Sequence, residues 1–290
     1  MKLLSRWSWA RKEITKLTAD THYHRIAHLS FEVRYGAPIF LHGLFAVAFV
    51  YNVGYPQMAR ILHRNGKGPI LRDTHKRNFD SMTFFGELYR HGEDEQGLRI
   101  IERLNRIHGA FPIDNSMHLY TLSSLALLPQ RVSEKFAGSN GLSEKECEAQ
   151  FLFWRRLGEL MNIVDIPLTR QDFLEWAINF EQARFEPSVE GLDITEALAR
   201  EWVEYWFPRP LQPFFRGFFY ALIDPNVRIL MGLSEPTYLQ KLVARITVRT
   251  FFEAKRFLPD PSDRYMSDFF GLEYGGKPDA ETMGYHSDKP

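Results

Sequence analysis

Cysteine is almost missing from the chain: Cys147 is the single one in 290 residues. No intrachain disulfide can form, and no CxxC pair or zinc-ligand set can be assembled around it. Cys147 sits in the charged stretch Ser143–Glu148, which predicts an incidental thiol in a reducing compartment. Net charge is missing too, with 36 Lys and Arg against 36 Asp and Glu. A protein that works by neutralising phosphates needs a basic excess, so nucleic acid is excluded as the main partner. Long apolar runs are also absent. The most apolar stretch, Ala37–Val53, falls short of the roughly 20 residues a bilayer span needs and carries His42 and Gly43. It reads as a core helix, and the expectation is a protein without a transmembrane segment. The basic Met1–Lys16 is followed by no apolar h-region or cleavage site, so it does not read as a signal peptide, and a cytoplasmic location is expected.

The common catalytic signatures are lacking as well. GxSxG, GxxxxGK(S/T) and HExxH do not occur, and no GxGxxG follows a strand. Strand-like alternation between hairpin turns is nearly absent, and no repeat is visible.

What is abundant is apolar material. Hydrophobic residues make up 44% of the chain, with 24 Phe, enough to bury a large core. Helix punctuation runs along its whole length. Asp20–Thr21 starts a helix predicted to reach Arg34 and stop at Gly36. Pro38 and Gly54 bracket the apolar helix, and Gln57–Asn65 closes at Gly66. Asp73 or Thr74 caps a helix to His91, and Glu95 to Gly109 is another. Asp114–Ser116 caps Met117–Phe136, with a bend or break expected at Pro129. Ser143 with Glu146, and Thr169 with Asp172, form capping boxes for helices to about Ile163 and Arg184. Glu196–Trp206, a turn over Pro208–Pro213, Phe214–Leu222 and Glu235–Phe257 complete the set. The prediction is an all-α protein: residues 1–20 an N-terminal arm, 21–270 one multi-helix domain of about ten helices, and 271–290 a flexible tail.

Three groups could carry chemistry. On a helix, Ile101, Leu104 and His108 share a face, so an imidazole emerges from an apolar stripe with Gly109 and Ala110 leaving room beside it. That suits either a haem ligand or a core histidine bonded to backbone. Arg77 and Ser81 lie one turn apart on a face continued by Phe84, Phe85 and Leu88. They could hydrogen-bond dioxygen, or be a solvated arginine and a serine bonded to its own helix. His24 and His28, with His22 just before, have the spacing of a metal-binding pair or of an amphipathic helix. His118, beyond Pro112, is read as pocket edge or surface.

Several segments resemble one family in order and spacing, from about His24 to Arg264. They are KRNFDSMTFFGELYRHG, NRIHGAFP, Tyr120–Leu128, GLSEKECEAQFLFWRRLGELMNI, IPLTRQDFLEWAINF and the closing KRFLPDPSDRY. Together they are similar to the rubber oxygenase and mycophenolate-pathway oxygenase family. The resemblance implies a globin-like helical core with additional helices, a b-type haem, and oxygenation with dioxygen such as oxidative C=C cleavage. It also implies His108 as the proximal iron ligand, with Arg77 and Ser81 in the haem pocket. Ser81 stands where the family has threonine, and Asp80 where latex-clearing members have a lysine, so gating by that lysine does not transfer. The expected activity is a haem-dependent oxygenase acting on a small apolar, isoprenoid- or polyketide-like substrate. Rival readings are a haem protein without oxygenase turnover, a haem-free helical protein that binds an apolar ligand, and a non-haem metal enzyme using His24 and His28.

Overall fold

The computed structural model describes residues 8–138 and 141–272. Among them are fifteen α-helices and no strand, in a single all-α domain. In chain order the helices are α1 Trp9–Lys16, α2 Ala19–His28, α3 Pro38–Val53, α4 Pro56–His63, α5 Pro69–Arg72, α6 Thr74–His91, α7 Glu95–Gly109 and α8 Asn115–Ala137. There follow α9 Glu144–Leu160, α10 Arg170–Arg184, α11 Val189–Trp206, α12 Gln212–Leu222, α13 Pro225–Met231, α14 Tyr238–Ala254 and α15 Ser267–Phe270.

Helix α3 is the axis of the core. It is apolar almost all round, and such a helix is stable only when other helices cover it; α8, α11, α4 and α6 do so. Pro38 opens it and Gly54 closes it. A Cβ on Gly54 would lie 2.5 Å from the Phe185 ring, so this close approach needs glycine. No single helix among the described residues is long and apolar enough to cross a membrane. The bent pair Ala19–Arg34 and Pro38–Val53 meets the length and composition requirement only together, across a 116° angle.

Local chemistry explains most boundaries. Asp73 accepts from Lys76 N to start α6, Asp94 from Gly97 N to start α7, and Asp114 from Met117 N to start α8. Ser143 and Glu146 close a reciprocal capping box at α9.

Several expectations need correction. The helix predicted to run to Arg34 changes to π-helix over Leu29–Arg34. There the Glu32 carboxylate lies 2.6 Å from His28 Nδ1 and accepts from Met266 N at 2.7 Å. The Met266 bond ties this wider turn to the C-terminal segment. Helix α8 runs through Pro129 unbroken, inside a buried segment that includes Leu128 and Gln130. Helix α11 starts at Val189 on a Ser188 cap, not near Glu196, and α12 starts within the expected turn region. Helix α13 was not foreseen; it opens with Asp224 and Pro225. Residues 9–16, read as part of an arm, are helix α1. Trp9 Nε1 donates to the Pro261 carbonyl at 2.8 Å and Ala10 N to Asp260 at 3.0 Å, which ties the two ends of the domain together. Residues 273–290 of the predicted tail lie outside the described residues.

Candidate functional site

Helices α6 and α7 are joined by the short turn at Gly92 and pack on each other, and Ser81 and His108 line one cavity. Its volume is about 190 Å³. Phe45, Phe49, Met58, Leu62 and Phe85 line it from α3, α4 and α6, and Met117 and Leu125 from α8. The stripe of Ile101, Leu104 and His108 explains how the imidazole comes to face inward: Ile101 is buried in the core and Leu104 packs against it.

The His108 ring is partly buried, but its Nδ1 is fully enclosed and has no hydrogen-bond partner. Burial, then the positive potentials of His118 and Arg77, hold its pKa down at about 4. The imidazole is therefore neutral at ordinary pH and keeps a lone pair for a ligand. Buried polar atoms are rarely left unpaired in native interiors, so the orphaned Nδ1 marks this ring as unusual.

Arg77 and Ser81 meet as their spacing on α6 requires. Arg77 Nη1 donates to Ser81 Oγ, and that hydroxyl donates to the Arg77 carbonyl at 3.0 Å. The guanidinium also lies 5.4 Å from the centroid of Phe49, a cavity residue. Burial lowers the Arg77 pKa, opposed by Asp80. Asp80 itself is paired with Lys76 at 2.9 Å.

The structure adds a residue that sequence reasoning left at the edge. His118, in the first turn of α8, lines the same cavity, and its ring centroid is 5.3 Å from that of His108. Burial also lowers its pKa, against the Asp114 carboxylate. Arg64 lines the cavity too, 4.7 Å from the Phe111 ring. Of the two readings given for His118, pocket edge or surface, the structure favours the first, and no sequence signal pointed to Arg64. The turn at Pro112 breaks helical phase, and Arg64 sits at the left-handed end of α4.

The N-terminal histidines do something else. His24 Nε2 donates to the Tyr89 carbonyl at 2.6 Å. His28 lies between Glu32 and Asp263, 2.6 Å from each. His22 bonds with Thr21 at 2.8 Å. Among the described residues no group of three or more His, Cys, Asp or Glu is placed to hold a metal ion, so the His24/His28 metal reading is corrected. These nitrogens hold α2 to α6 and to the C-terminal segment. Cys147 is buried, and burial raises its pKa to about 12, consistent with an inert thiol.

A second polar cluster lies away from the cavity. Trp206 Nε1 donates to His42 Nδ1 at 3.1 Å, which assigns the proton to Nε2, 2.8 Å from Glu201. His75 and Asn78 each reach the same carboxylate at 3.0 Å. Burial would raise the Glu201 pKa, but these partners hold it below the usual value.

Residues 34–252 match the family described as ER-bound oxygenase mpaB/B′ and rubber oxygenase, catalytic domain. No individual curated protein matches the chain significantly. The match spans most of the chain, from the end of the π-helical turn through nearly all of α14. The chain belongs to the mpaB/rubber oxygenase catalytic-domain family, a family of oxygenases.

Proposed function

We propose that the cavity beside His108 holds a b-type haem and that the protein is a haem-dependent oxygenase acting on a small apolar substrate. One observation carries this reading: an enclosed, neutral imidazole without a partner on the wall of an apolar cavity. A haem iron would take such an imidazole as a ligand. The residues around it suit the rest of the group. Aromatic and aliphatic side chains form an apolar slot, and Arg64 and Arg77 bring positive charge to its margin. At about 190 Å³ the cavity is smaller than a haem, so loading requires its walls to part.

When bound, the haem would supply a redox-active iron for the activation of dioxygen. His108 would hold that iron and set its electron richness. Arg77 would offer a guanidinium to negative charge developing on oxygen, with little solvent to screen it. Ser81, oriented by Arg77 and by its own helix, would place a hydroxyl at the same point. The Phe-rich wall would exclude water. An isoprenoid- or polyketide-like alkene fits such a pocket. Its oxidative cleavage places one atom of dioxygen on each carbon of the broken double bond and needs no external reductant.

The test is spectroscopic first. Haem-reconstituted protein should show a Soret band that is lost or strongly weakened in His108→Ala. A variant that kept the full band and haem affinity would refute the assignment of His108. Dioxygen uptake with a candidate alkene then separates an oxygenase from a haem carrier.

A further inference from the structure

Another chamber lies against a different face of α3. Phe45, Phe49 and Asn52 face the His108 cavity, whereas Phe40, Gly43 and Val47 face this one. It is lined by α3, α8, α11, α12 and α14 and has a volume of about 290 Å³, against about 190 Å³ for the cavity beside His108. No charged side chain lines it. Its single indole, Trp202, already donates to the Ile39 carbonyl at 3.3 Å. Apart from the Thr247 hydroxyl at its exposed edge, its lining offers an ion or a water molecule almost no polar partner.

Native interiors seldom keep voids much larger than a water molecule, because lining atoms lose their contacts. A concave apolar pocket of this size with access to solvent has the form of a binding site for an apolar molecule. The chamber also has its own mouth. Ile39 lines it and is 36% exposed, and Thr247 lines it from the exposed side of α14. Beside Thr247, Leu242 and Ile246 project from α14 at 38% and 55% exposure. An apolar molecule arriving from solvent would meet apolar side chains before it meets the chamber.

We propose that this chamber binds an uncharged, apolar molecule on the order of ten carbons, about twice the benzene-sized guest that a cavity of about 150 Å³ accepts. The site is separate from the one at His108 and needs no haem, so it goes beyond the oxygenase reading and stands or falls independently.

The indole of Trp202 allows a direct test. Titration of the full chain with 1-bromodecane should quench tryptophan emission saturably, through heavy-atom contact with Trp202, and raise Tm. Trp202→Phe should remove the saturable quenching but keep the rise in Tm. Val243→Phe narrows the chamber and Thr247→Phe plugs its exposed mouth, so each should weaken binding by about tenfold or more. Thr247 is exposed, so its variant keeps the test sound if the Val243 variant fails to fold. Ile113→Phe, in the other cavity, should leave binding unchanged. Two results would overturn the proposal. One is the absence of saturable quenching together with an unchanged Tm. The other is binding lost in Ile113→Phe and kept in Val243→Phe and Thr247→Phe, which would put the molecule beside His108.

Discussion

Replacing His108 by glutamine in the ligand-free protein should flatten part of the acid side of its stability curve. The wild-type imidazole has an ordinary pKa of 6.5 when exposed and about 4 in the fold. Between those values the unfolded chain binds a proton that the folded chain refuses. Stability is therefore fully present above pH 6.5 and falls as pH drops toward 4. At pH 4.5 the part of this shift already expressed amounts to about 2.5 kcal/mol, and the partial exposure of the ring trims it to about 2 kcal/mol. Urea unfolding of both proteins at pH 7 and pH 4.5 gives four free energies. The loss on acidification should be about 2 kcal/mol smaller in His108→Gln. Groups that titrate in both proteins cancel in this difference. His118 is coupled to His108, so the comparison is repeated in a His118→Gln background. Parallel pH dependences would mean that His108 ionises as it does in the unfolded chain. The enclosed neutral imidazole, and with it the case for a ligand at this nitrogen, would then be wrong.

Other perturbations test how the fold supports the site. Ser143→Ala removes the capping box of α9 and should cost about 1 kcal/mol in urea unfolding, since Ser143 and Glu146 satisfy each other's backbone amides. Gly86→Ala sets two effects against each other. Alanine gains up to about 1 kcal/mol of helix propensity in α6. Its Cβ would lie 2.3 Å from Ser267 N, however, and overpacking of about 1–3 kcal/mol should win, so a lower Tm is expected. Glu201→Leu leaves His42, His75 and Asn78 without their shared acceptor and should lose about 3 kcal/mol in the same assay; an unchanged stability would show that the cluster is dispensable.

Much of the fold was legible in the chain because helix signals are local. Asp73, Asp94, Asp114, Ser143 and Thr169 cap within three residues of themselves, so their helices could be placed without any tertiary knowledge. Where boundaries were missed, a distant partner was at work. At the π-helical turn Glu32 meets both His28 and the backbone amide of Met266, which is far away in the chain. The same division runs through the site. Spacing alone put His108 on an apolar face and Arg77 one turn before Ser81, since both follow from helical periodicity. Sequence by itself also determined the family, through the order of those segments. Only the tertiary structure decided that His118 comes beside His108, and that His24 and His28 are spent on hydrogen bonds. It alone set an apolar chamber against each of two faces of α3. Those outcomes depend on how helices far apart in the chain pack around one buried helix, and periodicity within a single helix carries no record of its neighbours.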